Sequence, residues 1–75
     1  MNSLTTEEEK IVGLMKCWVK ISTSTGIDGG LHNAFIGDWE KLQHSIFDRT
    51  KDVEECKKII TEVEKEMEQY INSLY

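Results

Sequence analysis

The sequence has no proline and only two cysteines, and aromatic residues make up 8% of its 75 positions. Without proline, the strongest helix breaker is missing. Two cysteines, Cys17 and Cys56, do not make the disulfide framework of a small secreted domain. Both fall on the apolar sides of helical patterns, so both are expected as buried thiols acting as small hydrophobes. A thiol in such a setting is inert, so Cys17 is not expected to act as a nucleophile. No apolar run approaches the ~20 residues that a membrane span requires. The first nine residues, Met1 to Glu9, show neither a basic n-region nor an apolar h-region. These absences lead to the expectation of a cytoplasmic protein with reduced thiols and no membrane partner.

Basic residues are also scarce. Nine Lys and Arg stand against 14 Asp and Glu, a net charge of −5. A protein that neutralises nucleic-acid phosphates clusters Lys and Arg, so no direct nucleic-acid partner is expected. An anionic membrane surface is disfavoured for the same reason. Charged residues at 31% and hydrophobic residues at 39% suit a folded chain. A chain this short makes one domain, with a core that supplies roughly 3–5 kcal/mol. Self-association is one way to supplement so small a core.

What is present is organised around the last third, Asp52 to Tyr75. Val53, Cys56, Ile60, Val63, Met67, Tyr70 and Leu74 stand at alternating steps of three and four, the a/d spacing of a heptad seam. Ile59 and Ile71 widen the seam into a face. Asp52 is the expected N-cap, with Glu55 as its capping-box partner. The spacing predicts a long C-terminal helix over about 52–74, roughly 35 Å in length.

Towards the N-terminus, Thr5 or Thr6 caps a helix over about 5–21, with Glu8 or Glu9 completing a capping box. Glu7, Glu8 and Glu9 suit the positive end of the helix dipole, and Lys16 and Lys20 the negative end. Ile11, Leu14, Trp18 and Ile21 form one apolar stripe, and Val12, Met15 and Val19 a second beside it. Gly13 lies between them, either for close helix approach or by chance.

Residues 22–30, Ser22 to Gly30, read as a Gly/Ser/Thr loop. The helical segment over about 31–47 follows, with Phe35, Trp39, Leu42 and Ile46 on one face. Gly37 interrupts it, so a short turn at 31–36 and a helix capped by Asp38 are expected; one helix kinked at Gly37 is the alternative. Short connections make neighbouring helices antiparallel. The expected fold is all-α, a small three-helix bundle, or four elements if the 31–36 turn stands alone. Trp18, Phe35 and Trp39 are expected to fill its centre.

Three candidate sites follow. The acidic run Glu62, Glu64, Glu66 and Glu68 reads as a negative stripe for a protein partner with a basic surface, with Asp28 in the loop as a further contact. The loop and its flanks, Lys20, Ser22, Thr23, Thr25 and His32, read alternatively as contacts for a small anionic or nucleotide-like ligand at a subunit boundary. His32 and His44 lack the spacing of metal ligands, so neither a metal nor a cofactor is expected. No nucleophile, base and orienter come together in the sequence, so no enzyme is expected. The leading expectation is a small acidic interaction protein that inhibits or regulates a larger macromolecule. A homo-oligomeric ligand binder and a small structural assembly subunit are the alternatives.

Overall fold

The computed structural model describes residues 4–26 and 29–74. They form an all-α three-helix bundle: α1 over Thr6–Thr25, α2 over Leu31–Thr50 and α3 over Val53–Ser73. Helix α1 starts where two reciprocal bonds satisfy its first turn. Thr5 Oγ1 accepts from the Glu8 N–H at 3.2 Å, and the Thr5 N–H donates to Glu8 Oε1 at 3.1 Å. The helix then runs four residues beyond the expected end at 21. Thr25 Oγ1 donates to the Ile21 carbonyl at 2.7 Å, and Gly26 closes the helix in the left-handed region at φ 70°. Ser22, Thr23, Ser24 and Thr25 are therefore helical rather than part of a loop. The last turn of α1 holds no basic residue, so Lys16 and Lys20 stand away from the dipole's negative end.

Helix α2 is one continuous element. Gly37 does not interrupt it, and Asp38 is an interior residue, not an N-cap. A Cβ added at Gly37 meets nothing within 4 Å, so this glycine serves no close approach. The same is true of Gly13 on α1. Helix α2 reaches Thr50, so only Lys51 and Asp52 connect it to α3. Lys51 takes the left-handed conformation at φ 53° and donates its N–H to the Phe47 carbonyl at 2.8 Å. Asp52 then caps α3 by accepting from the Glu54 and Glu55 N–H groups at 2.9 and 3.3 Å.

Pairs of contacting residues set the directions. Glu8 meets Ser45 and Arg49, while Trp18 meets Asp38, so α1 and α2 are antiparallel. Lys16 meets Glu66, and the short second connection turns α3 back alongside α2. The most extensive interface is that between α1 and α2. The bundle measures 39 × 22 × 19 Å, about two helix diameters across.

The core is aliphatic: Val12, Met15, Leu42, Ile46, Ile59, Val63 and Met67. Phe35 and Trp39 pack on it half-buried, and Trp18 is likewise half-buried. The expected aromatic centre is thus corrected. An indole needs a partner for its N–H, which an aliphatic centre cannot offer. Trp18 finds one across the α1–α2 interface, donating Nε1–H to Asp38 Oδ2 at 2.7 Å. On α1 the packing selects the second stripe. Val12 and Met15 are buried, whereas Leu14 and Ile21 are 47% and 44% exposed. On α3 the buried row is Ile59, Val63 and Met67: Val63 and Met67 belong to the expected seam, Ile59 from beside it is buried where Ile60 is only half-buried, and Val53 is 55% exposed. Cys17 is exposed and Cys56 half-buried, both as free thiols. The expectation of two buried thiols is corrected for Cys17, which points away from both neighbouring helices.

Candidate functional site

The outer side of the α2–α3 pair is a long open groove. At one end it is lined by Phe47, Val53, Cys56 and Ile60, with Gln43, His44, Lys57 and Glu64 on its edges, in a recess of about 600 Å³. Further along, Trp39, Phe35, Met67 and Ile71 line a second recess of about 370 Å³, edged by Glu64 and Glu68. Glu64 lines both, so the two adjoin along α3. At the far end Phe35 and Ile71 pass into a third recess of about 320 Å³, where Ser22, Thr23 and His32 meet Trp18 and Leu31. The floor is apolar because α2 and α3 share a limited interface, which leaves the flanks of both apolar stripes uncovered.

The four glutamates do not form one stripe. Successive residues on a helix are turned by 100°, so residues two apart face nearly opposite ways. Glu66 stands on the α1 side of α3, where its Oε1 accepts from Lys16 Nζ at 3.0 Å. The Lys16 ammonium also lies 5.5 Å from the centre of the Tyr70 ring, a cation–π contact. Glu62 shares that flank. Glu64 and Glu68 stand on the α2 side, at the groove. Both are exposed, and neither has a hydrogen-bond or ion-pair partner among the described residues. Two carboxylates at i, i+4 repel each other by a few tenths of a kcal/mol. The acidic feature therefore reduces to this pair, set beside apolar surface.

The alternative ligand set is partly assembled. Ser22, Thr23 and His32 share one recess. Lys20 is exposed on α1 outside it, and Thr25 directs its hydroxyl to its own helix backbone. Asp28 lies outside the described residues. Among the described residues, no three His, Cys, Asp or Glu side chains gather in a group that would hold a metal ion. No helix among them is long and apolar enough to cross a membrane.

Among the described residues, one charged group is fully buried. Glu8, at 0% exposure, accepts from Ser45 Oγ at 2.7 Å and from Arg49 Nε at 3.0 and 2.9 Å. Arg49 Nη2 adds a contact of 2.9 Å. Burial alone pushes the Glu8 carboxyl up. The bonds from Arg49, Ser45 and the Thr5 N–H, with the Arg49 charge, outweigh it and hold the carboxyl below its ordinary range. The Glu8 bond in turn raises Arg49. This cluster fastens α1 to α2 and lies apart from the groove. The sequence pattern named Glu8 as a cap but did not mark it as buried.

Neither protein families, nor curated proteins, nor solved structures yield a match to this chain.

Proposed function

We propose that the chain is a non-enzymatic interaction protein, one that binds a larger protein with a basic surface and inhibits or regulates it. The observation that carries this reading is the pair Glu64 and Glu68. Two unneutralised carboxylates stand at the edge of a recess lined by the half-buried Phe35, Trp39 and Ile71, and they repel each other until a partner supplies positive charge. Such an arrangement steers a basic partner and orients it, while the apolar floor supplies affinity. The experiment is co-purification on the tagged protein from cell extract, at low and high salt, against the Glu64→Lys/Glu68→Lys variant. A partner that is retained by the wild type, weakened by salt and lost from the variant is the expected result. Unchanged capture and unchanged salt dependence would sink the reading.

A second reading, a small-ligand binder, has one observation in its favour. Ser22, Thr23 and His32 converge with Trp18 in a recess of about 320 Å³, near the lower end of the usual range for ligand pockets. A thermal-shift screen with nucleotides tests it, with Ser22→Ala/Thr23→Ala as the control. A nucleotide that raises the melting temperature of the wild type but not of the control supports it, and no shift with any nucleotide ends it.

A further inference from the structure

We infer that the α2–α3 groove takes an amphipathic helix from the protein partner, apolar stripe inward, with Lys or Arg on the flank that meets Glu64 and Glu68. This inference rests on the interaction reading above and specifies the element that the partner presents.

Three features of the groove select a helix. The first is spacing. On α3 the positions Val53, Ile60 and Met67 recur every seven residues along the groove, Val53 exposed, Ile60 half-buried and Met67 buried at its floor. A seven-residue row is the pattern into which a neighbouring helix sets its own apolar side chains. The second is length. From Val53 to Ile71 the groove follows α3 for about 27 Å, the span of a helix of about 18 residues. An extended strand is the poorer fit, because α2 and α3 satisfy their own backbone groups and offer no free edge for pairing. The third is exposure. Phe47 and Val53 are 44% and 55% exposed at one end, apolar surface against which an incoming helix buries its anchor side chains. A fourth helix laid there would complete a four-helix packing.

Charge selects a foreign helix rather than a second copy. The unpaired Glu64 and Glu68 call for positive charge one turn apart. Among the described residues, the only other exposed apolar stripe with two large aliphatic side chains is on α1, Leu14 and Ile21. That helix carries Glu7, Glu8 and Glu9 against Lys10, Lys16 and Lys20, so it brings no net positive charge. A stripe on one copy set into a groove on the next also makes a head-to-tail contact, which does not close as a two-fold pair does.

The test is calorimetric titration with synthetic peptides of about 18 residues. One carries a Leu stripe with Lys on its flanks, a second the same stripe with Glu, and a third the Lys peptide scrambled so that no stripe forms. The Lys peptide is expected to bind the wild type and the other two to bind at least about tenfold more weakly. Glu64→Lys/Glu68→Lys is expected to weaken the Lys peptide about tenfold or more at low salt. Phe47→Ala/Val53→Ser, which leaves the buried core intact, is expected to weaken it at every salt concentration. Amide shifts should map to α2 and α3. Equal binding of the scrambled peptide, or shifts centred on Leu14 and Ile21, overturns the inference. So does a mass that rises with protein concentration and falls back in Phe47→Ala/Val53→Ser, which assigns the groove to a second copy. If no peptide binds while Glu64→Lys/Glu68→Lys still abolishes co-purification, the helix is wrong and the interaction reading stands. If both experiments fail, both fall.

Discussion

Glu8 and Arg49 clasp the first turn of α1 to the last turn of α2. The same carboxylate that completes the capping box with Thr5 receives both Nε and Nη2 of the arginine. One side chain thus starts a helix and fixes which end of the next helix lies beside it.

Removing the clasp should be costly. Breaking a buried ion pair costs about 3–5 kcal/mol. The Arg49 side chain is 33% exposed, so water recovers part of that, and about 2–3 kcal/mol is expected for Glu8→Ala. A core of this size supplies only roughly 3–5 kcal/mol, so the variant should be partly unfolded at ordinary temperature. Glu8→Gln keeps an acceptor for the Thr5 cap and should lose about half as much. Urea unfolding at neutral pH measures both. A loss under about 0.5 kcal/mol for Glu8→Ala would show that the pair is idle.

The same pair gives the stability a pH dependence of known sign. The folded Glu8 carboxyl is held below its ordinary value of 4.5. Its contribution is therefore fully present above the unfolded value. It is lost as pH falls through the lower, folded value, because the unfolded state then binds the proton first. Arg49 stays charged throughout. Urea midpoints should fall between neutral pH and about pH 3, and fall less steeply in Glu8→Gln. Equal slopes would remove Glu8 as the cause.

Gly13 and Gly37 occupy helix interiors with open space around them. Each should give about 0.5–1 kcal/mol of stability on replacement by Ala, since Ala loses less backbone freedom on folding. The two sites share no contact and should add. Thermal unfolding of Gly13→Ala, Gly37→Ala and the double variant checks this. Destabilisation at either site would mean that the glycine has a neighbour in solution.

The Trp18–Asp38 bond holds the middle of the α1–α2 interface. A hydrogen bond to a charged group contributes about 1.5–3 kcal/mol, less where water reaches it. Asp38→Ala should cost about 1–2 kcal/mol and move the tryptophan emission, whereas Asp38→Asn keeps an acceptor and should cost less. An unchanged emission in Asp38→Ala would place Trp18 elsewhere.

These residues also mark how far the sequence was legible. The helical spacing of the last third, Thr5 with Glu8, and Asp52 were readable because caps and periodicity are local. Helix α2 was harder. A glycine beside a good N-cap resembles a boundary, yet burying Leu42 and Ile46 and bonding Asp38 to Trp18 outweigh a propensity penalty of about 1 kcal/mol. The end of α1 is not legible from local sequence because Ser and Thr favour turns, while here Thr25 turns its hydroxyl back to the Ile21 carbonyl. The choice between two apolar stripes on α1 depended on a partner surface that one helix alone does not reveal. Glu8 extends the buried row through Val12 and Met15, and a charged residue conceals such a row. The division of the four glutamates was readable from their spacing of two, which places Glu62 and Glu66 on one flank and Glu64 and Glu68 on the other. The groove was not, because Val53 and Ile60 share the seam's spacing while packing leaves them at its open edge.

The unequal interfaces have a kinetic side. Helices α1 and α2 form a hairpin joined by the Glu8 clasp and by most of the helix-to-helix contact. A unit held by the larger interface opens at a higher free-energy cost than an element held by a smaller one. Helix α3 joins through a smaller surface, the buried Ile59, Val63 and Met67 with Cys56 and Ile60 packed beside them, and the Lys16–Glu66 pair. It is the element to dock last and to detach first, so its amide protons should exchange ahead of those of the hairpin. The helix that carries Glu64 and Glu68 is thus also the one whose position a bound partner would most stabilise.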